Sequence, residues 1–405
     1  MLIGRPDTFA RLWAAIADIG RDPLTGGYRR FTLTDADLSL RAWFAAECAS
    51  RELQLSEDTM GNQWAWWGDP DAVPGTGVVT GSHLDSVPDG GAFDGPLGVI
   101  SALAAIDQLR AEGFEPARPI GVLSFVEEEG ARFGVGCTGS RVITGELAAD
   151  RALALVDADG VTLAEALQTA GRPVAGLGRD DQALARIGCF VELHIEQGRG
   201  LVDHGRAVGV GDRIWPHGRW RLDFPGEANH AGTTRLEDRN DATIGCAQAV
   251  LAARSAAEAN RCLATVGRIE VRPGAVNAIA SSATAWLDAR GADEKAVRAV
   301  VAEVAALVTD HGGSVREESW TPGTPFDPDL VSRLAALLDR APVIGTGAGH
   351  DAGILAAAGI SAAMIFVRNP TGISHSPAEW AERPDCLAGV GALATVLADL
   401  AGAKG

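Results

Sequence analysis

The stretch VVTGSHLDSVPDGGAFDGPLGVISALAAIDQLR (78–110) decides the fold, because it joins a strand to a helix through a polar, glycine-rich loop. Residues 78–82 carry a short apolar strand signal, and residues 96–110 show helical periodicity with Pro96 in the first turn. The continuous apolar run PIGVLSFV (119–126) is typical of a strand buried on both faces. Strand, helix and strand in this order predict a right-handed parallel crossover.

Polar residues follow both of these predicted strands. His83 follows the first, and the acids Glu127, Glu128 and Glu129 follow the second. In open α/β sheets, ligands bind beyond the carboxyl ends of the strands. Three adjacent carboxylates repel one another, so the acidic run is either solvated at a loop tip or binds a cation. The run alone leaves both interpretations open.

A third segment, VELHIEQG (191–198), alternates so that Glu192, His194 and Glu196 share one face of a strand. A lone histidine is more often structural than a ligand, but five of the eight histidines stand in glycine-flanked or strand-end contexts beside acids or small residues: His83, His194, His230, His350 and His375. Imidazole and carboxylate ligands together suit zinc, manganese, cobalt or nickel better than calcium or magnesium. A two-metal hydrolytic centre is the leading interpretation.

The region from about 215 to 320 has a different pattern. Strands are predicted at 219–224, 264–271, 282–290 and 314–320, and helices at 241–260 and 293–308. This β-α-β-β-α-β order is that of a split βαβ, ferredoxin-like sheet with helices on one face. Helix and strand signals resume at 327–340 and 362–369. We therefore predict a discontinuous larger domain, 1–212 and 322–405, with an inserted domain at 213–321.

Composition excludes several classes of partner. The chain has 405 residues, of which 46% are hydrophobic, and a net charge of -18. That length favours two domains, and the negative charge disfavours nucleic acid and anionic membranes. The N-terminus lacks the apolar run of a signal peptide, and we find no run long enough to span a bilayer, so a cytoplasmic protein is expected. The six scattered cysteines are expected to be buried and unpaired.

Six motifs in this order resemble the amidase branch of the di-metal aminoacylase and carboxypeptidase family: HLDSVPDGGAFDG (83–95), EEGARFG (128–134), ELHIEQG (192–198), NHAGTT (229–234), GAGHDAG (347–353) and GISHSPAE (372–379). That branch contains N-carbamoyl-L-amino-acid hydrolases, allantoate amidohydrolases and ureidopropionases. The resemblance implies an α/β, di-metal exopeptidase-like catalytic domain with an inserted ferredoxin-like α+β dimerisation (lid) domain, in a homodimer. Arg235 and Ala280 stand where proline is common in the family.

The resemblance also implies roles at a centre of two divalent ions (Zn, Mn, Co or Ni). The implied ligands are His83, Asp94, Glu129, His194 and His375. Asp94 bridges both ions, with Glu129 and His375 on one ion and His194 on the other. Asp85 orients His83, and Glu128 is the general base. Glu127 is then an extra, solvated acid. The histidine at 194 is typical of the carbamoyl and ureido branch, because relatives that cleave peptides usually carry a carboxylate there.

For the substrate, the resemblance implies contacts from Gln197, His230, Asn277, Arg290 and Gly372. A planar guanidinium at Arg290 suits bidentate capture of a carboxylate, although a surface ion pair is the alternative without the family context. His230 could donate to the developing oxyanion.

We therefore predict a metal-dependent amidohydrolase that cleaves the carbamoyl (ureido) C–N bond of a small carboxylate. N-carbamoyl-L-amino acids are the leading substrates and allantoate is the next. The alternatives are an acylamino-acid hydrolase or peptidase of the wider family, and a catalytically silent binding protein on the same scaffold. The presence of Glu128 and of every implied ligand argues against the silent protein.

Overall fold

The computed structural model describes residues 8–404. The expectation about a signal peptide concerns a stretch whose first seven residues lie outside the described residues. The strands are β1 (Gln54–Glu57), β2 (Gln63–Trp67), β3 (Gly77–His83), β4 (Ile120–Phe125), β5 (Ile187–Ile195), β6 (Val208–Ile214), β7 (His217–Pro225), β8 (Leu263–Arg272), β9 (Ser282–Arg290), β10 (Ser314–Thr321), β11 (Thr324–Pro325), β12 (Val343–Thr346) and β13 (Ala362–Val367).

The helices are α1 (Thr8–Ile16), α2 (Asp35–Ser50), α3 (Pro96–Ala111), α4 (Thr138–Thr144), α5 (Ala149–Leu153), α6 (Leu163–Thr169), α7 (Asp181–Ala185), α8 (Gly200–Asp203), α9 (Ala242–Asn260), α10 (Glu294–Asp310), α11 (Pro328–Leu337), α12 (Asp351–Ala357) and α13 (Arg383–Ala401). A 3₁₀ helix spans Leu236–Asp238. The predicted α/β class is confirmed.

The chain divides into two compact units. The first runs to Arg213 and resumes at Pro325, and the second is the contiguous segment Ile214–Thr324. These limits lie one residue and three residues from the boundaries expected from the sequence. The two segments of the first unit meet in one sheet, because β13 pairs in parallel with β5.

The sheet of the first unit has a parallel centre and antiparallel edges. Among the described residues its order is β1-β2-β4-β3-β5-β13-β6-β11, and β12 pairs with β6. The four central strands β4, β3, β5 and β13 are mutually parallel. Their carboxyl ends therefore lie along one edge of the sheet. The strands β3, β4 and β13 are buried along their whole length, as their apolar sequences predict.

The second unit has the predicted β-α-β-β-α-β order. Its antiparallel sheet has the strand order β10-β7-β9-β8, and β9 alternates buried alanine and leucine with half-exposed residues. The helices α9 and α10 pack on the buried face, where Leu222, Leu287 and Val304 belong to one hydrophobic core. Such one-sided burial is typical of an antiparallel sheet.

Two expectations about the C-terminal part need correction. The helix predicted at 327–340 ends at Leu337, because Asp339 and Arg340 adopt left-handed backbone angles that cannot continue a helix. Contrary to the expectation, one helix of the described chain, α13, is long and apolar enough to cross a bilayer. It is a core helix, since 61% of its apolar window is buried and Leu393, Val396 and Leu397 are inaccessible.

Candidate metal centre

The candidate centre lies where the four parallel strands end. His83 is the last residue of β3, the acids 127–129 follow β4, and His194 is the penultimate residue of β5. His375 lies in the segment between β13 and α13. The parallel pairing of these strands thus brings together residues that are far apart in the sequence.

Asp94 is at the middle of the cluster, and its two carboxylate oxygens face different groups. Oδ1 lies 3.2 Å from His194 Nε2 and 3.8 Å from His83 Nε2. Oδ2 lies 3.4 Å from His375 Nε2, which in turn is 3.6 Å from Glu129 Oε2. These side chains form two triads of ligand atoms that share Asp94: His83, Asp94 and His194, and Asp94, Glu129 and His375.

Asp85 connects the ends of β3 and β4. Its main-chain oxygen lies 3.1 Å from His83 Nδ1, and its Oδ1 lies 3.4 Å from the same nitrogen. The carboxylate also accepts the backbone N–H groups of Glu128 and Glu129, at 3.2 and 3.0 Å. A contact on Nδ1 leaves His83 Nε2 to face the cluster. Asp85 therefore contacts both His83 and the backbone of the acidic loop.

Glu128 is buried beside this cluster without belonging to either triad. Its Oε2 lies 3.6 Å from His83 Nε2, and its Oε1 accepts the thiol of Cys137 at 3.3 Å. Burial raises the pKa of Glu128 well above its usual range, and the opposing charge of His83 offsets only part of that effect. All six cysteines, Cys137 included, are buried and unpaired as expected.

Glu127 is not the solvated acid that the sequence analysis expected. Its side chain is 1% exposed, and Oε1 accepts the backbone N–H groups of Arg132 and Phe133 at 3.1 and 2.8 Å. Its own backbone is left-handed, with φ 54°. Glu127 therefore closes the turn that carries Glu128 and Glu129, and burial raises its pKa to about 7.

The electrostatics of the cluster suit cations. Burial and the charge of Asp94 raise the pKa of Glu129 to about 8. Burial favours the neutral form of Asp94, but His194, His83 and His375 outweigh it and lower the pKa of Asp94 below its usual value. Three buried ligand atoms have no hydrogen-bond partner among the described residues: His83 Nε2, His194 Nε2 and Glu129 Oε1. Unpartnered donor atoms of this kind fit a divalent metal.

Of the predicted substrate residues in the first unit, Gln197 contacts the triads and Gly372 lies three residues before His375. Gln197 Nε2 lies 2.9 Å from Asp94 Oδ2 and 3.2 Å from Ser374 Oγ. Gly372 has φ 69°, and a Cβ there would lie 2.6 Å from Arg199 Cγ. Only glycine fits this turn without strain.

The other predicted substrate residues belong to the second unit. His230 and Asn277 are exposed neighbours, since the backbone of Ala231 donates to Asn277 O at 3.0 Å. Arg290, at the end of β9, donates from Nε and Nη2 to both carboxylate oxygens of Asp288, at 2.8 and 2.7 Å. The ion pair considered for Arg290 is therefore present.

Four buried residues around the centre received no role from the sequence. Glu192 accepts from Ser82 Oγ and from the backbone of Ala352, and the ring of His350 lies 4.5 Å from that of His194. Asp351 accepts from Ser140 Oγ. Glu379 accepts from Phe93 and Asp94. All four lie within the strands or motifs of the centre, but the spacing of a motif does not show which of its side chains are buried.

The parallel sheet carries two histidine and carboxylate triads at its carboxyl edge, one buried and one that includes the exposed His375. This arrangement is typical of α/β hydrolases that work with metal ions. The chain belongs to a family described as Peptidase family M20/M25/M40, whose profile matches residues 68–399. The family resemblance of the six motifs is confirmed by this match and by named relatives.

The chain is similar to named hydrolases over nearly its whole length. It is 33% identical to an N-carbamoyl-L-amino acid amidohydrolase of Geobacillus stearothermophilus, covering 94% of this chain and 95% of the relative. It is 32% identical to the allantoate amidohydrolase of Escherichia coli, covering 96% of each. A solved amidase of the hydantoinase/carbamoylase family from Burkholderia multivorans superposes with a TM-score of 0.84 at 31% identity, over 97% of this chain and 98% of the other.

Proposed function

We propose that this protein is a metal-dependent amidohydrolase that cleaves the carbamoyl C–N bond of N-carbamoyl-L-amino acids. The observation that carries the proposal is the arrangement of Asp94, whose two oxygens face two separate histidine-containing groups. A carboxylate in this position is suited to bridging two cations. The similarity to the Geobacillus N-carbamoyl-L-amino acid amidohydrolase supports the substrate class.

Five residues would hold two divalent ions in this proposal. His83 and His194 would bind one ion, Glu129 and His375 the other, and Asp94 both. The mixed imidazole and carboxylate set favours zinc, manganese, cobalt or nickel. Bound ions of this kind supply a water nucleophile at neutral pH and polarise the scissile carbonyl.

Glu128 is proposed as the general base. It is buried beside the triads, with Oε2 3.6 Å from His83 Nε2, and this position suits a group that takes a proton and then delivers it to the departing nitrogen. Asp85 is proposed to support this role, because its carboxylate accepts the backbone N–H of Glu128 and its main-chain oxygen contacts His83 Nδ1. The same aspartate therefore positions the proposed base and a proposed ligand.

The proposed substrate contacts are Gln197, His230, Asn277, Arg290 and Gly372. Gln197 adjoins Asp94, which supports the proposal that its amide binds a polar group near the scissile bond. Arg290 is proposed to bind the substrate carboxylate, for which its planar guanidinium is suited. His230 is proposed to donate a hydrogen bond to the oxyanion that forms at the carbonyl.

We also propose a cytoplasmic homodimer that associates through the second unit. The edge strand β8 exposes apolar side chains, among them Leu263 at 58% and Ile269 at 48%. An unpaired strand edge with exposed apolar residues is suited to association with another chain. The sedimentation coefficient of the protein, alone and with a charged residue in place of Ile269, tests this proposal.

Allantoate is the second candidate substrate, because the identity to the allantoate amidohydrolase is nearly as high as that to the carbamoyl-amino-acid enzyme. Both substrates offer a ureido group and a carboxylate. An acylamino-acid hydrolase and a catalytically silent binding protein remain the alternatives. A panel of substrates distinguishes them.

The deciding experiment is a substrate panel with metal removal. The protein is treated with a chelator, reloaded with Mn²⁺ or Zn²⁺, and assayed for ammonia release from N-carbamoyl-L-amino acids and from allantoate, and for amine release from N-acyl amino acids. We expect ammonia from a ureido acid, loss on chelation and recovery on reloading. Full activity in a verified metal-free preparation would disprove the mechanism, and turnover of acyl amino acids alone would disprove the substrate class.

A further inference from the structure

Glu379 joins two segments of the metal centre that are far apart in the sequence. Its carboxylate is buried, and Oε2 accepts the backbone N–H groups of Phe93 and Asp94 at 2.9 and 3.0 Å. Its other oxygen, Oε1, lies 3.1 Å from Ser374 Oγ. One side chain therefore holds the backbone of Asp94 and contacts the residue that precedes His375.

Ser374 extends this connection to the carboxylate of Asp94. Its Oγ lies 3.1 Å from Asp94 Oδ2 and 3.1 Å from Glu379 Oε1. A hydroxyl has one proton, so it can donate to only one of these two carboxylates at a time, and Gln197 Nε2 approaches both Ser374 Oγ and Asp94 Oδ2. Asp94 Oδ2, the oxygen that faces His375, thus contacts Gln197 and Ser374, and Ser374 connects it to Glu379.

The loop before α3 is shaped to receive Glu379. A Cβ at Gly91 would lie 2.2 Å from Glu379 Oε2, so only glycine lets the carboxylate reach the backbone of Phe93 and Asp94. The neighbouring rings of Phe93 and Trp380 pack edge to face, with centroids 5.9 Å apart. The loop that carries Asp94 and the segment that carries His375 therefore contact each other through both polar and aromatic groups.

We propose that Glu379 is a positioning residue that keeps Asp94 and His375 together and so sets the affinity of the ion bound by Asp94, Glu129 and His375. The other proposed ion depends less on Glu379, because His83 and His194 lie at the ends of β3 and β5 and are fixed by the sheet. This inference rests on the two-ion centre of the proposed function. Groups that orient metal ligands typically change metal affinity by about 10- to 100-fold when they are removed.

The test measures bound metal instead of activity. Wild type, Glu379→Ala, Glu379→Asp and Glu379→Gln are freed of metal, loaded with Mn²⁺ or Zn²⁺, passed through gel filtration, and measured for metal content and by calorimetric titration. Glu382→Ala is the matched control, because Glu382 is an exposed acid three residues further on whose side chain makes no cap hydrogen bond. Thermal unfolding of each protein establishes that it is folded.

We expect Glu379→Ala and Glu379→Asp to retain one ion and to bind the other about 10- to 100-fold more weakly. Glu379→Gln should retain both, because its amide oxygen can still accept the two backbone N–H groups. The shorter Asp keeps the charge but not the reach, so it tests the idea even if the alanine variant does not fold. Two ions bound at wild-type affinity in the aspartate variant would overturn this inference, whereas a wild-type protein that binds no metal would overturn the proposed function.

Discussion

Gly95 lies against the imidazole of His83, and a Cβ on residue 95 would come within 2.4 Å of His83 Cε1. The same residue has φ 86° and precedes the first turn of α3. Glycine at this position therefore meets two requirements, a left-handed backbone and close approach to a proposed metal ligand.

Gly95→Ala should destabilise the protein and displace His83. The left-handed backbone alone costs a non-glycine residue about 1–3 kcal/mol, and the contact with the ring adds to that cost. Gly113→Ala is the control, because Gly113 follows the same helix with φ 76° and a Cβ on it would meet no atom within 4 Å. Urea unfolding of both variants, with metal content, separates backbone strain from displacement of the ring. Equal losses in the two variants would contradict the steric role.

Glu128→Gln should keep metal occupancy and lose turnover. The amide fills the same space beside His83 but cannot take a proton, so kcat should fall by a factor of about 10²–10⁴, the usual contribution of a general base. His375→Ala, in contrast, should lose metal. If the glutamine variant lost metal while the alanine variant retained it, the proposed roles of base and ligand would be wrong.

The metal-free protein should become less stable as the pH rises from about 5 to about 8. The pKa of Glu127 is raised to about 7 and that of Glu129 to about 8, so the folded state binds more protons than the unfolded state over this range. The stability that these two carboxyl groups give to the folded state is complete below their unfolded-state pKa of 4.5. It is lost as the pH rises past their folded-state pKa values. The raised pKa values of His83 and His194 act with the same sign.

The midpoint of thermal unfolding, measured from about pH 5 to about pH 8 with and without added metal, checks this prediction. Bound cations should remove most of the decline, since they take the place of the protons on Glu129. Glu127→Gln, which cannot ionise, should decline less steeply than wild type in the metal-free state. A metal-free midpoint that rises with pH would show that the sign is wrong.

Arg290→Lys should impair carboxylate substrates selectively. Lysine keeps the charge but loses the planar fork. The fall in kcat/KM should therefore correspond to a loss of about 1.5–3 kcal/mol in transition-state stabilisation, the contribution of a charged hydrogen bond. A neutral amide analogue should be a poor substrate of the wild type and almost insensitive to the change. Arg219→Lys is the control, because Arg219 also lies near Asp288, at 3.5 Å, and is largely exposed. Equal losses on acid and amide would mean that Arg290 has only a structural role.

The sequence predicted the strands and helices that surround the centre because their patterns are local. The apolar runs that become β4 and β13 reflect burial on both faces, and the alternation of residues 219–224 in β7 reflects burial on one face. The short helices between β4 and β5 were not predicted. They have five to seven residues each, too few turns for a helical period to stand out.

The roles of individual acids were harder to predict than the presence of a centre. Glu127 was expected in solvent because three adjacent charges repel, but a left-handed turn lets it accept two backbone N–H groups in the interior. Glu379 ends the motif that contains His375, and yet its contact is with a loop 285 positions away. Contacts over such separations depend on the fold and leave no periodic signal in the chain.

The interruption of the first unit by residues 214–324 has a consequence for biosynthesis. Four of the five proposed ligands precede the interruption, and His375 follows it. During translation from the N-terminus, the second unit is contiguous and can fold as soon as it leaves the ribosome, whereas β5 must wait for β13, its parallel neighbour on one side. The nascent chain therefore contains the first four proposed ligands without His375 until synthesis is nearly complete. A cation that binds before then has an incomplete set of ligands.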